Sequence, residues 1–122
     1  MSVLVCVTGQ KNCERLIVAG ARIAREENLR LNVLHVVHSG SSVLGFVNEP
    51  EALEYLLKVS VENGASMYVR RSDDIIGSIE YAAKNEHCRV LVAGRAANYS
   101  GHDLLDELKL RLPGVRFEIM GQ

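Results

Sequence analysis

The sequence predicts a doubly wound α/β domain: five parallel strands with helices on both faces. Three observations carry this. The runs VLVCV (3–7) and RVLVAG (89–94) are apolar without alternation, as strands covered on both faces are. Segments striped at helical spacing separate each strand candidate from the next, so the order reads β-α-β-α-β-α-β-α-β with right-handed crossovers. The whole occupies 122 residues, enough for one domain (1–122) with its own core and too few for two.

After the first strand, TGQKN leads into an amphipathic stretch from Glu14 to Glu27. Leu16, Ile17, Gly20, Ala21 and Ala24 recur at helical spacing there, opposite Arg15, Arg22 and Glu26. Gly20 and the alanines suit close packing of this helix on the sheet. Residues 31–37, LNVLHVV, make the second strand, and HSGSSVLGFVN follows as a loop. Its apolar centre, Val43, Leu44, Phe46 and Val47, is expected over a binding crevice or in a dimer contact.

Asn48 as a cap, Glu51 three residues on and Pro50 in a first turn predict a second helix. Leu53, Leu56, Leu57 and Ser60 form its core side, and Asn63-Gly64 ends it. ASMYV (65–69) is the third strand, and Ser72-Asp73-Asp74 opens a third helix carrying Ile75, Ile76, Ile79, Ala82 and Ala83. The fourth strand is RVLVAG. Leu104, Leu105, Leu108 and Leu112 stripe the fourth helix, with Ser100 and Asp103 as a capping signal and Pro113-Gly114 as the stop. VRFEIM (115–120) alternates, Val115, Phe117 and Ile119 against Arg116 and Glu118, as an edge strand does.

Fourteen Lys and Arg nearly balance fifteen Asp and Glu, for a net charge of −1. That gives no electrostatic case for nucleic acid or a membrane surface. The opening MSVLVCVTGQ has no basic n-region and no long apolar run, so the expected location is cytoplasmic. Cys6, Cys13 and Cys88 are odd in number and far apart, with neither CxxC nor a metal-ligand spacing, so reduced thiols are expected.

In an open parallel sheet, ligands bind beyond the carboxyl ends of the strands where the winding reverses. With the first and fourth strands adjacent there, the loop Thr8-Gly9-Gln10-Lys11-Asn12 meets the loop from Gly94 through Gly101, and His38-Ser39-Gly40-Ser41-Ser42 borders both. Thr8, Gly9, Gln10, His38, Gly94, Arg95, Asn98, Ser100 and Gly101 are the candidate ligand-binding residues. Glycine amides, hydroxyls and cationic side chains in that assembly suit a small anion. The same glycines also serve as plain turns, and Ser100 with Asp103 as a plain cap.

The unit TGQKNCERLIVAGARIAREENLRLNVLHVV resembles the opening of universal stress protein (UspA-like) domains, closest to the version found in potassium-responsive sensor kinases. The resemblance implies an adenine nucleotide alpha hydrolase-like sheet of five parallel strands and a homodimer, here through edge strand 115–120. It also implies a non-catalytic regulatory or stress-response domain, with a sensor or transporter protein as partner. One branch of that family binds ATP through an Asp after the first strand and a G-x-x-G-x9-G-[S/T] loop after the fourth. Here Thr8 stands at the Asp position, Gly94 matches the first glycine, Ala97 replaces the second, and Glu107 stands at the third. The ATP loop therefore reads as degenerate, which implies weak or no binding of ATP or another adenine nucleotide, unless a shortened loop holds it.

The enzyme alternative rests on Cys6, whose place before a glycine loop resembles the phosphocysteine loop of sugar-phosphotransferase IIB subunits. Cys13, at a helix start with Lys11 nearby, is the candidate for a lowered thiol pKa. Receiver-domain chemistry is excluded by Thr8-Gly9 and Arg70-Arg71 where acids are required. His35 and His38 point to opposite faces of a strand, so no metal site is expected.

Overall fold

β1 (Ser2–Val7) is the central strand of a parallel sheet, hydrogen-bonded on one side to β2 (Arg30–Val37) and on the other to β4 (Cys88–Gly94). β3 (Ser66–Arg71) lies outside β2, and the last strand, β7 (Arg116–Met120), lies outside β4. The order is β3-β2-β1-β4-β7, as the sequence predicts for a doubly wound sheet. A computed structural model, describing residues 1–7, 13–37, 49–94, 98–99 and 102–120, supplies these coordinates.

Among the described residues four helices connect the strands: α1 (Cys13–Glu27), α2 (Glu49–Glu62), α3 (Ile75–Asn85) and α4 (Leu104–Arg111). Strand alternation sends Val3, Val5 and Val7 of β1 to one face, where they pack with Leu16, Ile17 and Ala21 of α1 and Leu56 and Val59 of α2. Leu4 and Cys6 point the other way, against Ile75 and Ile79 of α3 and Leu105 and Leu108 of α4. The unbroken apolar run at 3–7 is thus needed because each successive residue meets a different helix layer.

Gly20 sits where α1 presses hardest on the sheet. A Cβ there would overlap Val5 Cγ2 and come 3.2 Å from Leu31 Cδ1. The helix ends follow local chemistry. Gly64 takes φ +74° beyond α2, letting the Ala65 amide reach the Ser60 carbonyl at 2.9 Å. Asn28 does the same beyond α1 with φ +56°, and the Leu29 amide bonds Ala24 at 2.8 Å. Asp74 caps α3, its Oδ1 accepting from the Gly77 amide at 2.8 Å.

Three local expectations change, and a fourth falls on residues outside those described. Leu57 faces outward and is half exposed rather than buried with Leu56, because the sheet ends at β3 and leaves that side of α2 uncovered. The third strand runs on through Arg70 and Arg71, and much of it is exposed because it is an edge. The polar segment before α4 contains a two-residue ribbon: β5 (Asn98–Tyr99) pairs antiparallel with β6 (His102–Asp103), so α4 begins at Leu104, after Ser100 and Asp103. The apolar loop residues Val43, Leu44, Phe46 and Val47 lie outside the described residues.

At the other edge, β7 alternates as expected, with Val115, Phe117 and Ile119 against the α3–α4 layer and Met120 against the α1–α2 layer. Arg116 is tied to Glu27 of α1 and, at 3.3 Å, to Glu118. The paired guanidinium holds the Glu27 carboxyl below its usual range.

Candidate functional site

The winding reverses at β1. Val5 stands opposite Val92, so continuing both strands brings Val7 and Gly94 to one level at the carboxyl rim. From that rim the chain leaves β1 for α1 on one face and leaves β4 for α4 on the other. Sheets of this kind take ligands in the crevice beyond such a reversal. β2 ends at the same rim, with His35 opposite Val7.

Of the residues singled out in the sequence, Gly94 is placed directly, as the buried last residue of β4, opposite Met120 of β7. Asn98 lies in β5, opposite Asp103, on the connection from β4 to α4. Thr8, Gly9, Gln10, His38, Arg95, Ser100 and Gly101 lie outside the described residues. The strand ends that carry them, Val7, Val37 and Gly94, belong to three adjacent parallel strands.

One polar side chain at this rim escaped the sequence reading of the crevice. His35 is 2% exposed, and its Nδ1 lies 2.6 Å from the Val7 carbonyl oxygen. A carbonyl only accepts, so Nδ1 carries the hydrogen. Burial lowers the imidazole pKa below its ordinary 6.5, against the raising effect of the Val7 bond and with the help of Arg71. The ring is therefore neutral, and its Nε2 is a buried acceptor with no partner among the described residues. The signal was present in the sequence as one histidine inside the apolar run LNVLHVV.

Both flanking helix starts carry carboxylates, with Arg15 beside Glu14 in α1. α1 carries Glu14 in its first turn, accepting a hydrogen bond from Tyr55 at 2.7 Å. α4 carries Asp106 and Glu107 in its first turn, with Glu107 paired to Arg111 at 3.2 Å. These carboxylates occupy the positive dipole ends that a polyphosphate would use.

The thiols correct the sequence expectation. Cys13 heads α1 but is buried beneath it, and burial raises its pKa over the opposing effect of the helix-start amides. Cys6 is buried in the α3–α4 layer with its pKa raised strongly by the same cause, which opposes a role as an accessible phosphate-accepting thiolate. Cys88 is pushed up to about 11 by burial, and its Sγ donates to the Val90 carbonyl at 3.2 Å. Among the described residues no group of His, Cys, Asp or Glu could hold a metal ion.

By sequence, no family model matches the chain and no curated protein matches it. Solved structures do. A universal stress protein in complex with cAMP superposes with a TM-score of 0.64 at 15% identity, covering 100% of this chain and 96% of that one. The universal stress protein from Archaeoglobus fulgidus in complex with dAMP gives 0.63 at 16%, covering 99% and 96%. A member of that family from Burkholderia pseudomallei gives 0.62 at 17%, covering 98% and 95%.

The chain has the universal stress protein fold. The universal stress protein resemblance read from the sequence is matched in fold by these structures. Within the universal stress protein fold the crevice above Val7 and Gly94 is the rim just described. Glu107, at the third glycine position of the family's ATP loop, is a first-turn residue of α4. No described helix is long and apolar enough to cross a membrane.

Proposed function

We propose that the protein is a cytoplasmic, non-catalytic regulatory domain of the universal stress type. It binds a small anionic ligand, an adenine nucleotide with a single phosphate being the best fit, in the crevice between the carboxyl ends of β1 and β4. The observation that carries this is the reversal of winding at β1, which leaves Gly94 and the end of β1 facing one opening. Two universal stress proteins of the same fold hold cAMP and dAMP, each with one phosphate. Glu14, Asp106 and Glu107 at the flanking helix starts disfavour a triphosphate. The changed loop positions Thr8, Ala97 and Glu107 support the same order of preference.

The test is thermal denaturation of the chain with AMP, cAMP, dAMP, ADP and ATP in turn. A ligand present at a hundred times its dissociation constant adds about 2.7 kcal/mol of stability. The expected ranking puts the monophosphates above ATP, with every nucleotide recovered chemically unchanged. An ATP shift equal to or larger than the monophosphate shifts overturns the charge argument, and no shift with any of the five overturns the nucleotide reading.

The same reading includes a homodimer through the free side of β7, with a sensor or transporter protein as its physiological partner. Antiparallel pairing about a two-fold axis at Phe117 would set each Arg116 opposite the partner's Glu118, a complementary arrangement. Sedimentation at micromolar concentration checks it: a monomer there counts against the dimer.

A further inference from the structure

Asn32 of β2 is 5% exposed, and its Nδ2 has no hydrogen-bond partner among the described residues. It alternates with Val33, which packs in the α1–α2 layer, and so shares the opposite face of the sheet with Leu34, on the α3 side. On that face Leu4 of β1 and Ser66 of β3 stand beside it in register, with Leu34 and Tyr68 one pleat further on. A buried N–H group without an acceptor is costly, and a leucine at this position in the apolar run LNVLHVV would avoid the cost.

Three of these neighbours, Leu4, Leu34 and Tyr68, line a cleft between the sheet and the last turns of α3, together with Arg70, Tyr81, Asn85 and Glu86. The unmet donor therefore lies beside the cleft floor, and the torsion of a side-chain amide is soft enough to turn it toward an acceptor there. Tyr68 and Tyr81 are 43% and 56% exposed, so aromatic surface stands open on the strand side and on the helix side. The cleft holds about 70 Å³, room for one small planar group and not for a nucleotide. Arg70, whose guanidinium stacks 5.0 Å from the Tyr81 ring centre, and Glu86 bring opposite charges to the same walls, so neither sign of ligand charge is favoured.

We propose that this cleft is a small-molecule site that takes a neutral, single-ring aromatic carbonyl compound. The carbonyl oxygen accepts from Asn32 Nδ2, and the ring lies between Tyr68 and Tyr81, where aromatic faces stack. A carboxamide satisfies both sides of the cleft, because its N–H hydrogens find acceptors in Asn85 and Glu86 of α3. The buried donor demands an acceptor, the cleft volume limits the ligand to one ring, and the paired charges of Arg70 and Glu86 select a neutral one. An ionised ligand would lose water on entering without a net opposite charge to receive it.

The site is independent of the nucleotide reading. The test titrates the full chain with benzamide at pH 7.5 and follows assigned amide proton and nitrogen resonances, with benzoate and benzylamine as the anionic and cationic comparisons. Benzamide is expected to saturate, moving the Asn32 side-chain amide and the backbone signals of Tyr68 and Tyr81. The two charged rings should bind at least about tenfold more weakly. Asn32→Leu should abolish benzamide binding while holding or raising the urea midpoint, since it removes a donor that had no partner. Tyr81→Ser, at an exposed position, should weaken binding at least about tenfold with the midpoint unmoved. The proposal is overturned if benzamide does not saturate, if the Asn32 side-chain amide stays in place, or if either charged ring binds equally well. Normal benzamide binding by Asn32→Leu or by Tyr81→Ser overturns it too.

Discussion

His35 donates its Nδ1 hydrogen to the carbonyl oxygen of Val7, 2.6 Å away, and so joins β2 to the last residue of β1 at the crevice rim. The bond sets the tautomer, and burial keeps the ring neutral. A pH dependence follows with a definite sign. In the unfolded chain the imidazole takes a proton as pH falls through its ordinary 6.5, while the folded imidazole, with its lowered pKa, does not. The stabilisation from a neutral His35 is therefore full above 6.5 and is lost as pH falls from there to the depressed folded value. Urea denaturation from pH 7.5 to 5.5 should show stability falling with pH in the wild type and less steeply in His35→Asn. At pH 7.5 that variant should be less stable by about 1–3 kcal/mol, from the lost bond and imperfect filling of the site. Identical slopes would remove His35 from the account.

Gly20 is required by contact rather than by conformation, for it lies inside a helix against Val5 and Leu31. Gly20→Val should destabilise the protein by about 2 kcal/mol or more, since both neighbours are buried and one is β-branched. A midpoint of urea denaturation unchanged from wild type would show that α1 can lift off the sheet at little cost.

Asp74→Ala removes the acceptor of the Gly77 amide at the start of α3. The expected loss is about 1 kcal/mol, and Asp74→Asn should recover most of it because an amide oxygen can also cap. If the two variants were equally destabilised, charge at the helix start rather than the cap bond would be the source.

Burial raises the pKa of all three thiols above the ordinary 9.0. With Ellman's reagent at pH 8 the folded protein should react slowly at every cysteine, and three thiols should appear at once in guanidinium. Rapid labelling of Cys13 in the folded protein would restore the helix-start thiol as a reactive group.

How far the sequence could be read depended on the range of the forces involved. The caps at Asp74 and Gly64 are local, set by a side chain or a φ angle within one turn, and both were legible. The alternation of VRFEIM identified the β7 edge because a strand with one wet face must alternate. Leu57 was misplaced for the opposite reason. Its spacing from Leu53 and Leu56 is that of a core residue, and only the end of the sheet at β3 leaves it without cover. Cys13 shows the same limit: a helix start lowers a thiol pKa, but burial under the same helix outweighs it.

Period, composition and turn chemistry by themselves determined the α/β class, the order of elements and the neighbourhood of the crevice. These depend on each segment burying its own apolar face, which residue spacing records. The tertiary structure alone decided that His35 stands neutral at the rim and that helix starts bearing Glu14, Asp106 and Glu107 flank it. It also decided that Leu57, Val61, Val69, Tyr68 and Tyr81 are left exposed near the edge strand β3. Those facts depend on which distant segments become neighbours and where the sheet stops, and desolvation and exposure are set by that assembly rather than by any local pattern.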